Sequence, residues 1–195
     1  MTTLILVRHG ETDWNRSGRW QGHADAPLND RGRDQARALA DELLDAHVAA
    51  VYASDLRRAR ETAEIIADRL GRPVEIDPRL REVDVGGWSG LTTAEIEARF
   101  PDSVARWYRG DPGHAFEGGE TYAAMGERVV AALADIAARH PGEQVLVVLH
   151  GGPIRALLAH AGGITYAEQR NLREHLENCE FIRVAVRDGV FRGID

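Results

Sequence analysis

Short apolar runs alternate with longer segments of helical spacing along almost the whole chain, and this alternation restricts the fold more than any single residue. Such repetition calls for a sheet covered by helices, because each helix must lay its apolar stripe on one face of the sheet. Residues 4–7 read as a buried strand. Ala36, Leu39, Ala40, Leu43 and Leu44 follow at helical intervals, with Asn29 and Asp30 before them as candidate N-caps. Residues 51–53 read as a second strand, and Ser54 and Asp55 stand as caps before Leu56, Ala59, Ala63, Ile66 and Leu70. Gly71 and Pro73 end that helix, and residues 74–76 form a short edge strand. Met125, Val129, Ala132, Leu133 and Ile136 mark a long helix ending near Pro141 and Gly142. Residues 145–149 are the most hydrophobic strand, and Pro153 suits the first turn of the helix carrying Ile154, Leu157 and Leu158. Ile182, Val184 and Val186 alternate up to Asp188-Gly189, a two-residue hairpin turn leading into Val190 and Phe191. The expected fold class is α/β: a three-layer α/β/α sandwich around a mostly parallel central sheet with an antiparallel edge strand.

At 195 residues the chain suits one domain, 1–195. Between residues 85 and 120 the pattern weakens, and Gly86, Gly87, Gly90, Pro101, Pro112, Gly113, Gly118 and Gly119 gather among aromatic residues. Trp88, Trp107, Tyr108 and Phe116 need something to pack against, so this stretch is expected to be a lid-like insertion over the sheet at about 85–125 rather than a linker.

Composition removes several mechanisms. The basic residues are 24 arginines with no lysine, which excludes a P-loop lysine, a Schiff base and a kinase-type lysine. The net charge of −7 repels nucleic acid and anionic membrane, so no nucleic-acid or membrane partner is expected, and an anionic ligand needs a local basic site. Cys179 is the single cysteine, which rules out an internal disulfide or a CxxC pair. The opening apolar run stops at Arg8 with no leader or spanning pattern, so the expected location is cytoplasmic.

Two strands run directly into His-Gly: Leu6-Val-Arg-His9-Gly10 and Val148-Leu-His150-Gly151. In open α/β sheets the ligand crevice lies beyond the carboxyl ends of the parallel strands, so both imidazoles reach it if these strands are neighbours. Arg8 beside His9 disfavours a cation there, and so disfavours a metal; it suits a phosphate, which a guanidinium grips bidentately. A neutral His9 next to a held phosphate is a candidate nucleophile. The residue pattern alone leaves Arg57, Arg58 and Arg60 equivalent near one helix start, and leaves Glu82 level with Asp84. His23, His47, His114, His140, His160 and His175 read as surface residues, with His114 a partial exception inside the insertion.

The segment Leu6-Val-Arg-His-Gly-Glu-Thr12 resembles the signature of the histidine phosphatase, or phosphoglycerate mutase-like, superfamily, and in particular its small bacterial phosphatases. The resemblance continues in family order through Asn15, Gln21-Gly22, Pro27-Leu28-Asn29, Ser54-Asp-Leu-Arg-Arg58-Ala, Leu80-Arg-Glu82, Gly86-Gly-Trp-Ser-Gly90, Gly118-Gly-Glu120 and His150-Gly-Gly-Pro-Ile-Arg155. It implies a phosphoglycerate mutase-like fold with His9 as phosphoryl acceptor, Arg8, Arg58 and His150 as phosphate ligands, and Glu82 as proton donor and acceptor. The register of the family selects Arg58 and Glu82 from their rivals. It also implies that His150 is protonated against the phosphate charge. Asn15 is expected in the phosphate pocket, with Gln21, Gly22 and Gly151 beside the substrate. No metal and no cofactor are implied.

Selectivity is expected from residues 101–125, where Arg106, Trp107, Arg109, Phe116, Glu120 and Tyr122 stand ready to meet a leaving group; Trp107 and Glu120 are the substrate-binding expectations, and Trp20 shares the rim. The implied activity is hydrolysis of a small phosphate monoester through a phosphohistidine, and a homodimer is compatible with it. Two alternatives stand beside it: a phosphoglycerate mutase-type phosphotransferase and a non-catalytic phospho-ligand-binding module. A mutase must hold the released product; the run Val83-Asp84-Val85-Gly86 lacks the tyrosine, and the chain lacks the later lysine, that mutases resembling it carry.

Overall fold

A computed structural model describes residues 1–111, 113–172 and 176–194. In chain order the elements are β1 (Thr2–Arg8), α1 (Asp13–Arg16), α2 (Asp30–Glu42), β2 (Val48–Ala53), α3 (Arg57–Leu70), β3 (Val74–Ile76), α4 (Thr93–Arg99), α5 (Pro101–Tyr108), α6 (Tyr122–Arg139), β4 (Gln144–Leu149), α7 (Gly151–Gly162), α8 (Tyr166–Asn171), β5 (Phe181–Arg187) and β6 (Val190–Ile194). The described strands form one six-stranded sheet in the order β3-β2-β4-β1-β5-β6. β3, β2, β4 and β1 run parallel, β5 is antiparallel to β1, and β6 is antiparallel to β5 at the edge.

Side-chain alternation divides the core in two. Leu4 and Leu6 of β1, with Val145, Val147 and Leu149 of β4, face α6, α7 and the insertion. Ile5 and Val7, with Leu146 and Val148, face α2 and α3 on the other side. β1 and β4 therefore read as continuous apolar runs, as strands covered on both faces must. Each fully buried aliphatic side chain contributes roughly 1.5–3 kcal/mol. That weight holds β1 and β4 as central neighbours, with Val7 paired to Val148 and Arg8 to Leu149. Their carboxyl ends lie side by side.

The local signals are realised where they depend on a single residue. The Asn29 side chain accepts the Gly32 N–H at the start of α2, and Gly71, at φ 64°, ends α3 in the left-handed region. Asp188 and Gly189, both at positive φ, make the β5–β6 hairpin turn. The expected caps of α3 are corrected: its N-cap is Leu56, which has no side-chain cap, and the Arg57 N–H donates instead to Asp25 from a distant loop. Asp55 binds Arg81, and Ser54 turns toward the site. The weakly patterned region is more regular than its sequence, containing α4, α5 and a 3-10 turn at Gly86–Trp88. Trp88 and Phe116 are almost fully buried, and Trp20 meets Trp88 and Trp107 edge-on at 5.3 Å in each case. This aromatic cluster joins the insertion to the core on the α6–α7 side and sets one wall of the cleft.

Candidate active site

His9 follows the last residue of β1 and is 3% exposed; His150, the N-cap of α7 after β4, is wholly buried. Because the two strands are adjacent, the imidazole centroids lie 5.2 Å apart. The proton of His9 is assigned by its partners. Nδ1 faces the Gly10 carbonyl at 2.8 Å, which can only accept, so Nδ1 carries the hydrogen. Nε2 then holds a lone pair, and the Arg58 Nε–H donates to it at 3.3 Å.

Arg58 is 1% exposed, and its other nitrogens donate to the carbonyls of Ala24 and Gly22, both at 2.8 Å. Arg57 and Arg60 on the same turn are exposed, so burial separates the three arginines that the sequence left equivalent. Arg8 donates from Nη1 to the Leu176 carbonyl at 2.6 Å. Among the described residues neither Arg8 nor Arg58 has a carboxylate ion pair. Burial lowers the pKa of both, that of Arg58 to about 10. A buried guanidinium that meets carbonyls, and in Arg58 a ring nitrogen, but no carboxylate in ion-pair contact keeps much of its charge unscreened, which an anion relieves. Burial first, and then Arg58, also hold both histidines well below the usual imidazole value. In the ligand-free protein the resting form of His150 is therefore neutral, whereas the protonated form expected from the sequence is one set against a bound phosphate.

Ser54 sets the orientation of that neutral ring. Its Oγ accepts the Leu56 N–H at 3.3 Å and lies 2.9 Å from His150 Nε2. Ser54 has one hydroxyl proton, and donating it to Nε2 satisfies both groups. This leaves the His150 hydrogen on Nδ1, which is buried and, among the described residues, has no hydrogen-bond partner. A buried donor without an acceptor is costly, and in this place a phosphate oxygen would satisfy it.

Glu82 follows the 3-10 turn Pro78–Leu80 and lines the cleft, whereas Asp84 does not. Its carboxylate accepts the Val83 N–H at 2.9 Å and the Gly152 N–H at 3.2 Å, so it sits on the amino end of α7. A Cβ on Gly152 would stand 2.0 Å from Glu82 Oε1, so only glycine permits this approach. Asn15 receives the Thr12 N–H on Oδ1 in a capping box, leaving its amide hydrogens for the cleft it lines.

The cleft is about 1110 Å³, and Arg8, His9, Asn15, Gln21, Gly22, Arg58, Glu82, Trp107 and Gly151 line it, with Trp20 and Tyr122. Glu120 does not, which corrects its expected contact with substrate. The Arg128 guanidinium holds its carboxylate, which also accepts the Asp84 N–H. Other expectations move as well. His114 is 3% exposed, between Trp88 and Phe116 and bonded to Ser103; His23 is half-buried, with Nε2 donating to the Glu82 carbonyl at 2.8 Å. His175 and Pro112 lie outside the described residues. Sequence reasoning missed Asn178, which donates to the His9 carbonyl at 2.8 Å, and Arg128. Cys179, at φ 63°, turns the chain there, a conformation that for a non-glycine residue is held by surrounding structure.

A sequence model of the histidine phosphatase superfamily (branch 1) matches residues 4–193. The chain belongs to this superfamily. Phosphoserine phosphatase 1 of Hydrogenobacter thermophilus is 38% identical over 164 residues, spanning 84% of this chain and 78% of that protein. Metal-independent phosphoserine phosphatase of Arabidopsis thaliana is 40% identical over 164 residues, 80% and 67% of the two chains. The solved mycobacterial glucosyl-3-phosphoglycerate phosphatase, complexed with VO3, superposes with a TM-score of 0.88 at 34% identity, covering 99% of this chain and 96% of that one. Fold and superfamily agree with the sequence expectation; among the described residues of this histidine phosphatase, no helix is long and apolar enough to cross a membrane.

Proposed function

We propose that the chain is a metal-independent phosphomonoesterase that hydrolyses a small phosphorylated metabolite through a phosphohistidine on His9 Nε2. One observation carries this reading: a buried imidazole lone pair lies against guanidinium charge with which, among the described residues, no carboxylate forms an ion pair, beside a His150 ring nitrogen that has no hydrogen-bond partner among them. A phosphoryl group completes every one of these groups at once. The names of the relatives support hydrolysis, and those substrates carry a carboxylate on the leaving alcohol. Arg155 and Arg170, which line the same cleft, suit such an alcohol here.

In the first step the His9 Nε2 lone pair attacks phosphorus while the ester P–O bond breaks. Glu82, carrying a proton, gives it to the leaving oxygen, so an alcohol departs. In the second step water attacks the phosphohistidine, Glu82 takes its proton, and the N–P bond returns its electron pair to Nε2 with release of phosphate. Arg8, Arg58 and the Nδ1–H of His150 oppose the charge on the transferring oxygens. His9 begins with its lone pair already aimed, because Gly10 fixes the tautomer. We read the segment of about 85–125 as a wall of this cleft within a single domain, and the protein as cytoplasmic.

The test is turnover of p-nitrophenyl phosphate with a chelator present. The expected rate resists the chelator and vanishes in His9→Ala, and rapid quench traps an acid-labile, alkali-stable label on wild type. Undiminished turnover without any trapped label refutes the covalent route. Interconversion of phosphoglycerate isomers faster than phosphate release refutes hydrolysis as the main reaction.

A further inference from the structure

Arg128 projects from the first half of α6, yet its charged side chain is only 23% exposed. All of its recorded partners belong to two segments. From Nη1 it donates to the carbonyls of Arg79 at 2.9 Å and Arg81 at 2.7 Å, and from Nη2 to the carbonyl of Glu82 at 2.8 Å. The same Nη2, with Nε, holds the Glu120 carboxylate. Glu120 in turn accepts the Asp84 N–H at 3.1 Å, and its own N–H donates to the Asp84 carbonyl at 3.0 Å. The strip 79–84, with Glu82 inside it, is thus held from one side by Arg128 and from the other by Glu120. His23 adds one hydrogen bond to the Glu82 carbonyl.

We infer that Arg128, with Glu120 as its counter-charge, is a positioning residue that aims the Glu82 carboxyl at the leaving-group oxygen. This deepens the function proposed above and rests on its reading of Glu82 as the proton donor. The geometry explains why an arginine is used. The strip has no regular secondary structure between the 3-10 turns, so its carbonyls have no ladder to satisfy them, and a planar fork reaches three of them at once. Neither Arg128 nor Glu120 lines the cleft, so neither meets the substrate. A displacement of about 1 Å at Glu82 is enough to weaken a proton transfer that requires hydrogen-bond contact.

A positioning role of this kind has a signature that general loosening of the fold lacks. An alkoxide is a poor leaving group and needs the proton, whereas p-nitrophenolate leaves largely unaided. The experiment measures kcat/KM for 3-phosphoglycerate and for p-nitrophenyl phosphate in wild type, Glu82→Gln, Arg128→Ala, Arg128→Lys and Glu120→Gln. Vanadate protection against thermal unfolding reports whether each variant keeps the phosphate pocket. We expect the alkyl-to-aryl ratio to fall at least tenfold in Glu82→Gln and in Arg128→Ala, with partial recovery in Arg128→Lys and a smaller fall in Glu120→Gln. If Arg128→Ala does not fold, Glu120→Gln and Arg128→Lys carry the same comparison. A parallel loss on both substrates in the Arg128 and Glu120 variants, while Glu82→Gln still discriminates, overturns the positioning role and leaves the proton-donor reading intact. An unchanged ratio in Glu82→Gln removes both.

Discussion

Lowering the pH from 6.5 to 5.5 is expected to destabilise the protein by up to about 2 kcal/mol through His9 and His150 alone. Desolvation holds both imidazoles well below the usual value of 6.5, and the Arg58 charge lowers them further. In the unfolded chain both lose those surroundings and take up a proton near pH 6.5. Below that pH the unfolded state binds more protons than the native state, so stability rises with pH. The contribution is present in full above 6.5 and is lost as the pH falls toward the depressed native values. Across this unit the unfolded imidazole goes from half to about nine-tenths protonated, so integration gives at most about 1 kcal/mol each. The assay is urea unfolding at pH 7.5, 6.5 and 5.5 for wild type and for the double variant His9→Gln/His150→Gln. Every other titrating group is common to both proteins, so the difference between their pH dependences isolates the pair. Sulfate, whose charge is constant over this range, should narrow that difference, because an anion between the rings favours their protonated forms. Equal pH dependences for the two proteins refute the burial argument, and with it the assignment of a resting neutral His150.

Two further outcomes follow from the same contacts. Ser54→Ala leaves His150 Nε2 without its donor and frees the tautomer; a loss of about 1–3 kcal/mol in stability, with a fall in kcat, is expected from denaturation and steady-state kinetics. Gly152→Ala places a Cβ where Glu82 Oε1 stands, so the carboxylate must leave the end of α7; folding by circular dichroism should persist while hydrolysis of an alkyl phosphate falls by an order of magnitude or more.

The site's individual residues divide according to what decides them. His9 and His150 were legible because each ends a strongly apolar strand, and strand identity is local. Arg8 came with them. The choice of Arg58 over Arg57 and Arg60 was not legible from residue pattern, since all three sit within one helical turn and share its chemistry; resemblance to a family supplied it, and the orientation of α3 against the loop carrying Gly22 and Ala24 is what buries one of them. Glu120 was expected in the cleft because it lies in the segment 101–125, from which selectivity was expected. Its partner, Arg128, lies a full two turns further along, and nothing in a helix pattern reveals that a polar side chain will turn inward toward free carbonyls.

By itself the amino-acid sequence determined the strands of the sheet and the helices α2, α3, α6 and α7, though not α4 and α5, where Asn29 and Gly71 bound two of them, and that two His-Gly junctions stand at strand ends. These features depend on backbone preferences and on side-chain period within a few residues. Only the tertiary structure decided which polar groups lose water: Arg58 and not Arg57, Glu82 in the cleft and Glu120 outside it, and His114 inside an aromatic cluster. It also decided which nitrogen of His9 and of His150 carries the proton. Desolvation and hydrogen-bond partnership are set by elements far apart in the chain, such as Ser54 against His150, and no local pattern encodes that meeting.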